Sequence, residues 1–556
     1  MAMRTVVLTL VVPLLALGQE PQSEQGRQEP PSRPIDVSRQ QQQAPLPKID
    51  LPEFVITGTG SINPPNVEKD SLDVSGRYER NPLEDMPGAR DSETIDLGLR
   101  FKQSLFSTGI VRDGLVTASL GSYFTPHILG SYGVSSSSYG FLASAEYRRT
   151  TGFVQYTDKS LADLGADGSI IFHSPNIYFN EARLSGGTSY NIEKYKFYGS
   201  TSPSAQRSRS VFGFQLGANS AIGGPWPYHG GLEYRSAGIS DSTAEVSENH
   251  VTLAAGSQVP VFTVPVGINL TVELASILAQ STSSLSSVHL NVRSPEWHWN
   301  GFTLFAALNG YAVNGMLGQQ GSYFYPEIRL SHQLTPVHTV FLGFHPSVQF
   351  STLRELSAVF PYLSGNSDVR HTMNRLDISG GTESVWANDF TTRILFGYQQ
   401  SSDIPLYDDS PESGIGTLVY GGTTTMASIR FDGVAYITPN DYFALALTAR
   451  STQNDHIGGS VPYRPGFEGS VQYRHRFPVE VSVTASLSAY GSRRATAFAD
   501  RRAAGGFWSA LKTNYEGISR LTLFLNLENL LDRRDEVWRG YRVEPFRVEI
   551  GLSYRW

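Results

Sequence analysis

The sequence predicts an all-β protein, a transmembrane antiparallel β-barrel behind an N-terminal segment too polar to fold. Three observations carry this. Apolar and polar residues alternate with period two, often over ten or more residues, from Thr94 to the last residue. The gaps between these runs are alternately long and short. No internal stretch reaches about 18 consecutive apolar residues, so a helical membrane span is not expected. Successive strand side chains point to opposite faces, which gives each run one apolar and one largely polar face. A soluble sandwich also alternates, but its strands usually run about five or six residues. Ten or more is about the length that crosses a bilayer at a tilt.

The segment before Thr94 is read from composition. Met1–Arg4 is a short basic stretch, and Thr5–Leu17 is apolar but too short to span comfortably. Ala16-Leu17-Gly18 puts small residues at −3 and −1, with cleavage before Gln19. Residues 1–18 therefore read as a secretory signal peptide, with an uncleaved anchor as the alternative. Residues 19–50 are rich in Gln, Pro, Glu and Ser and cannot bury enough apolar surface to order, so a disordered periplasmic tether is expected. Residues 51–93 carry one β-prone island, Glu53-Phe54-Val55-Ile56-Thr57-Gly58, in otherwise polar, Pro-containing sequence. The barrel is expected over 94–556. A net charge of −7 argues against a nucleic-acid partner. The absence of cysteine excludes disulfides, thiolate metal sites, cysteine nucleophiles and a lipidated N-terminal Cys.

Within the barrel, Ile95, Leu97, Leu99 and Phe101 alternate with polar residues or glycine. Roughly thirteen strands fit between 94 and 350 at strand-like spacing. Nine more are expected at 376–385, 389–399, 424–437, 442–450, 466–475, 479–490, 507–513, 519–528 and 544–556. Leu521, Leu523, Leu525 and Leu527 mostly alternate with polar residues, though Phe524 breaks the pattern. The gaps at 351–375, 400–423, 451–465, 491–506 and 529–543 are long, and those between them are short. One end of the barrel then carries loops and the other tight turns, as in outer-membrane barrels with long extracellular loops and short periplasmic turns. In the last strand Phe546, Val548, Ile550, Leu552, Tyr554 and Trp556 share one face. Tyr554 and Trp556 look like the C-terminal signal that outer-membrane proteins present to the barrel assembly machinery.

The closing segment 521–556, with Asn-Leu-Leu-Asp at 529–532, resembles the last two strands of the TonB-dependent outer-membrane receptors. "VPYRPGFEGSVQYRH" (461–475) is similar to that family's entry into a late strand. "FPYLSGNSDVRH" (360–371) resembles its Asn-Pro-Asp-Leu-Lys-Pro-Glu landmark, departing from it at Ser367, Val369, Arg370 and His371. The resemblance is clearest over 350–556 and implies 22 strands, with 16–20 open if some upstream segments are loop hairpins. It also implies a globular plug domain, for which 61–93 leaves no room. Glu53–Gly58 resembles the TonB box, the segment that engages a TonB-like periplasmic protein. The alternative for those six residues is packing inside the lumen or disorder.

Other constellations are weighed on chemistry. Arg493, Arg494, Arg501, Arg502, Arg533 and Arg534 fall in two expected outer loops, where they suit an anionic ligand or lipopolysaccharide phosphates. Trp297 and Trp299 flank His298 and read as an interfacial aromatic girdle rather than a metal site. "YDDSPE" (407–412) reads as a solvated loop, since its spacing matches no EF-hand. "SGGTS" (185–189) lacks the Lys of a phosphate loop. No catalytic set emerges and no cofactor is expected. The expected role is transport or a channel, with outer-membrane lipids, lipopolysaccharide and a separate plug or lipoprotein as further partners. The alternative is a structural or assembly anchor with a periplasmic tether.

Overall fold

The computed structural model describes residues 110–556 apart from 222–223, 225, 243, 263, 280–281, 388–389 and 410–413. The signal peptide, the tether, the Glu53–Gly58 island and the alternation at 94–102 lie outside the described residues.

The described residues form a closed antiparallel barrel of 22 strands. The first nine are β1 Val111–Gly121, β2 Thr125–Ser135, β3 Tyr139–Thr150, β4 Lys159–Phe172, β5 Ala182–Lys196, β6 Gln206–Asn219, β7 Tyr228–Ser240, β8 Glu245–Val261 and β9 Val264–Leu278. Next come β10 Thr282–Arg293, continued as Trp297–Trp299, β11 Phe302–Asn314, β12 Gln320–Thr335 and β13 His338–Phe344, continued as Ser347–Gln349. The last nine are β14 Thr372–Ala387, β15 Phe390–Ser402, β16 Thr423–Thr438, β17 Asp441–Asn454, β18 Phe467–Phe477, β19 Val481–Tyr490, β20 Gly506–Ile518, β21 Leu521–Glu528 and β22 Arg547–Arg555. Each of the nine strands expected after residue 375 is present, with ends moved by a few residues. Thirteen precede residue 350.

Each strand pairs with its sequence neighbours, and the ring closes where β1 meets β22, Leu115 opposite Arg555 through Gly121 opposite Glu549. Closure leaves no strand edge exposed to lipid, where unpaired N–H and C=O groups would find no partner. The seam is reinforced from inside. Thr117 and Ser553 hydroxyls meet at 2.7 Å, Ser119 donates to Glu549 at 2.6 Å, and Arg555 Nε donates to Asp113 at 2.9 Å. Beyond the last strand residue, Trp556 exchanges two backbone hydrogen bonds with Gly114, at 3.1 and 3.2 Å. Its indole lies where a Cβ on residue 114 would be.

The period-two pattern sorts side chains as the physics of a lipid solvent requires. Val116, Leu120, Ile128, Tyr132, Leu270, Leu274, Ile550, Leu552 and Tyr554 are exposed on the outer face, while Leu115, Thr117, Leu129, Ser131 and Ser553 are buried inside. The terminal apolar face therefore looks outward. Phe524, the residue that breaks the alternation in β21, pairs with Gly551 of β22 and occupies the space a side chain there would need.

The long/short rule holds throughout the C-terminal half and fails upstream. At the end where β1 starts and β22 finishes, here the terminal end, the connections 173–181 and 220–227 are long. At the opposite, loop end, 122–124 and 241–244 are short. Bilayer thickness constrains strand length, not turn length, so this departure leaves the barrel intact.

Gly551→Val should damage the seam. A Cβ at 551 would lie 2.5 Å from Ser119 Cβ and 2.7 Å from the Ala118 carbonyl oxygen, and the backbone atom cannot step aside. Overpacking of this kind costs about 1–3 kcal/mol. The expected readout is a lower melting temperature of the heat-modifiable band on unboiled gels, with Gly114→Ala showing a smaller loss because the indole can move.

Candidate functional site: the closed mouth of the barrel

At the loop end the connections fold over the opening as one unit. A short helix, α1 Leu353–Val359, lies in the connection 350–371. Three small hairpins pair Leu406–Asp409 with Gly416–Val419, Arg493–Arg494 with Arg502–Ala503, and Glu536–Trp538 with Tyr541–Arg542. Leu353, Leu356, Val359, Phe360, Leu363 and Val369 from the first connection share one buried cluster with Tyr407, Tyr463, Ala495, Ala503, Trp538 and Tyr541 from the others. The same cluster includes Ile239, Val246, Ala275, Ile277 and Leu285 from β7–β10. Stacked rings tie it together: Phe360 on Tyr407 at 4.6 Å, Tyr362 on Tyr541 at 3.4 Å, and Tyr463 tilted against Trp538 at 4.5 Å. This is a small protein core suspended across the mouth.

Buried polar groups fasten that core to the wall. A helix starts with N–H groups that have no partner inside it. For α1, Thr352 accepts from the Glu355 N–H, and Glu248 of β8 accepts from Leu353 at 2.6 Å and Arg354 at 3.3 Å. A carboxylate is also the charge that the positive end of a helix favours. Arg207, at the start of β6, is 1 % exposed. It is bound to Asp241, with Nε at 2.9 Å from Oδ2, and donates to the carbonyls of Pro361 at 2.9 Å and Leu363 at 2.5 Å. At the far end of the connection Arg370 pairs with Asp403 at 2.9 Å. His371 is fully buried: its Nδ1 accepts from the Ser351 N–H and its Nε2 reaches the Asn314 carbonyl at 3.0 Å. That arrangement suits a neutral ring, and burial lowers its pKa. Below the cap the inward faces are polar. Asn269, Asn291, Asn309 and Glu327 hydrogen-bond in sequence across β9–β12, and His127 stands between Glu146 and Glu549 at 3.1 and 3.7 Å.

The six loop arginines separate. Arg493 is corrected from the expected cationic rim: it is 2 % exposed, donates to the Glu536 and Val537 carbonyls at 2.9 and 2.8 Å, and lies over the Tyr490 ring. Arg494 is half-buried and donates to the Ile457 carbonyl at 3.4 Å. Arg501 is exposed, as are Arg502, Arg533 and Arg534, and these last three face Asp500, Asp535 and Asp532 respectively. Glu53–Gly58 lies outside the described residues. Tyr554 and Trp556 stack at 6.0 Å on the outer face at the terminal end. Trp297 and Trp299 are exposed on the outer face of the same end, and His298 contacts Thr303 at 2.9 Å. "SGGTS" is part of β5.

The described part of "YDDSPE", residues 407–409, is not the solvated loop its composition suggested. Tyr407 and Asp409 are buried, and Asp409 accepts from the Tyr463 hydroxyl at 2.8 Å. Burial pushes the Asp409 carboxyl up to about 6, against the lowering effect of that hydrogen bond. The 360–371 landmark likewise supplies much of the cap's core. Sequence reasoning missed Glu248, Arg207 and Asp241 altogether, because single charged residues at strand ends look like any other lumen-facing residue. Among the described residues, no group of three or more His, Asp or Glu is placed to hold a metal ion.

Two predictions follow from this geometry. Glu248→Ala leaves the buried Leu353 N–H unpaired and removes the partner of the half-buried Arg354 N–H, a cost of about 1–3 kcal/mol; hydrogen exchange across 353–359 should accelerate accordingly while the strands keep their protection. The second concerns pH. A carboxyl whose pKa is raised in the folded cap carries no ionisation cost below the ordinary carboxylate range. The cost grows as pH rises through about 6 and is constant above. For Asp409 it is on the order of 1–3 kcal/mol. His371 acts in the opposite sense, so the comparison is between wild type and Asp409→Asn. The variant should show slower exchange at 406–409 than wild type at about pH 8, and little difference at about pH 4.

No family model matches the chain and no curated protein sequence does. Solved structures match its fold. The ferric-catecholate import receptor Fiu of E. coli K12 is 11 % identical with a TM-score of 0.61, over 81 % of this chain and 82 % of that one. The FrpB iron transporter of Neisseria meningitidis is 9 % identical with a TM-score of 0.64, over 82 % and 83 %. The copper transporter OprC is 10 % identical with a TM-score of 0.63, over 81 % of each chain. The chain thus has the 22-stranded barrel fold that its resemblance to the TonB-dependent outer-membrane receptors implied.

Proposed function

We propose that this protein is an outer-membrane transporter of TonB-receptor type whose outer loops hold its mouth shut in the conformation described here. The observation that carries the reading is the cap. A barrel of 22 strands encloses a wide lumen, and a membrane anchor has no use for five connections built into an aromatic core across it. Buried charges at the rim of the cap fit a gate held by a few removable contacts rather than a permanently fused lid. Likeness in fold to import receptors and transporters for iron and copper supports transport without naming this protein's solute. In this reading the terminal end lies in the periplasm, Glu53–Gly58 adds as a strand to a TonB-like protein, and the exposed Arg501, Arg502, Arg533 and Arg534 meet lipopolysaccharide phosphates.

Planar-bilayer conductance tests the gate. Removing residues 353–366, so that Thr352 joins Ser367, should raise single-channel conductance several-fold over the full chain, with heat-modifiability on gels confirming that the barrel is intact. Absence of conductance in both forms would favour the anchor. The TonB contact is tested separately by co-purification. Val55→Pro removes a backbone donor from the added strand and should abolish recovery of the partner; unchanged recovery removes that part of the proposal.

A further inference from the structure

Below the cap, one sector of the lumen wall differs in chemistry from the rest. Strand register places a row of side chains across β9–β12: Asn269 beside Asn291, Asn291 beside Asn309, and Asn309 beside Tyr325. One row nearer the loop end stand Thr271, His289, Tyr311 and Tyr323. Both rows face inward, because the residues beside them in the chain, Leu270, Leu290, Leu308 and Phe324, are exposed on the outer face. None of these side chains is a carboxylate, a lysine or an arginine. Charged groups only border the patch, with Glu273 above it and Arg293 and Glu327 below. Elsewhere the described wall carries ion pairs, such as Lys159 with Glu193 at 2.7 Å, Arg547 with Glu528 at 2.8 Å and Arg450 with Glu468 at 2.8 Å. Leu285, nearer the loop end on the same face of β10 as His289, belongs to the cap's core. The patch therefore lies directly under the cap.

Two kinds of surface meet there. The amides form a directed chain: Asn269 donates to Asn291 Oδ1 at 3.0 Å, Asn291 donates to Asn309 Oδ1 at 2.8 Å, and Asn309 donates to Glu327 at 3.4 Å. Each amide has two hydrogens and spends one on its neighbour. The row is thus held in place and still has donors to offer. Aromatic rings lie beside it. Tyr323 and Tyr325 are half-buried, with planes 13° apart and centroids 6.1 Å apart. Gly321 takes the next inward position up β12, where a Cβ would lie 2.8 Å from Tyr323 Cζ. The missing side chain gives that ring room to lean along the wall, and Tyr325 is nearly parallel to it. Tyr311 carries the aromatic surface to the next strand, 6.0 Å from Tyr325 and stacked on His289 at 4.2 Å.

We propose that this asparagine–tyrosine patch binds a neutral polyhydroxylated solute, an oligosaccharide or similar polyol, beneath the cap. A sugar ring has C–H faces that pack on aromatic rings. Its hydroxyls each donate and accept, which a side-chain amide answers with an N–H and a C=O. Apolar surface with a few placed polar groups is the usual make-up of a small-molecule site. A charged solute finds no countercharge within the patch, and burying a charge without one is costly. The competing outcome is an amide ladder that only ties strands together. The proposal rests on the transport reading and adds the class of solute to it. Binding is measured without transport, so the two can fail separately.

The full chain is held in lauryldimethylamine oxide, a detergent without a sugar headgroup, and saturation-transfer difference NMR spectra are recorded with maltohexaose. The chain lacking residues 353–366 is measured beside it, so that a closed cap cannot hide the site. Transfer to the sugar is expected in at least one of the two forms. In that form Tyr325→Ala and Asn291→Leu should each lower the transfer several-fold, while Tyr325→Phe keeps it. Tyr442→Ala, on β17 beside Arg474, should leave it unchanged. Heat-modifiability on gels confirms that each variant is a folded barrel. No transfer in either form would overturn the proposal. So would equal transfer in all variants, which marks the ladder as structural only, or stronger transfer to hexagalacturonate, an anionic saccharide of the same length. Conductance that rises on deleting 353–366 while sugar binding is absent leaves transport standing and removes only the solute class.

Discussion

Every backbone N–H and C=O that meets hydrocarbon must already be hydrogen-bonded, and the rest of this structure depends on that constraint. It requires the sheet to close, and closure occurs at the β1–β22 seam with Thr117, Ser119, Asp113, Ser553 and Arg555 locking it from inside or at its end. The same constraint explains why the outward face can be so apolar: with the main chain satisfied along the wall, side chains alone meet lipid.

Closing 22 strands creates a second problem, a wide polar lumen. Here the loops act as a separate folding unit with its own core, and the wall supplies what that unit lacks. Glu248 completes the start of α1, and Arg207 with Asp241 satisfies the carbonyls of Pro361 and Leu363 where the chain leaves the helix. Such groups are costly to bury without their partners, so the cap is expected to move as a unit rather than loop by loop. Arg493 belongs to this set. In sequence it is one of six outer-loop arginines; in the fold it joins two hairpins through their carbonyls and stacks on Tyr490.

The alternation from residue 376 onward made nine strands legible, because one face of each must be apolar along its whole length and a one-residue slip would reverse the faces. Phe524 looked like a defect in that pattern and is instead half of a large–small pair with Gly551. The landmark at 360–371 was legible as a resemblance, but its role in covering the mouth was not. Composition misled at Asp408 and Asp409. A pair of acids in a Ser- and Pro-containing loop reads as solvated, and only the distant Tyr463 hydroxyl, 54 residues on, gives Asp409 a reason to be inside.

The sequence by itself determined that the chain is a barrel, which residues face lipid, and at its C-terminal half where the strands lie. Those are properties of local periodicity, and each strand carries them alone. Which strand closes on which, that five of the loops share one core, and that Glu248, Arg207 and Asp409 are buried were decided only by tertiary structure. The physical reason is distance along the chain. Glu248 and Leu353 are 105 residues apart, and Arg207 and Leu363 are 156 apart, so no local pattern records that a charge in one place completes the backbone in another.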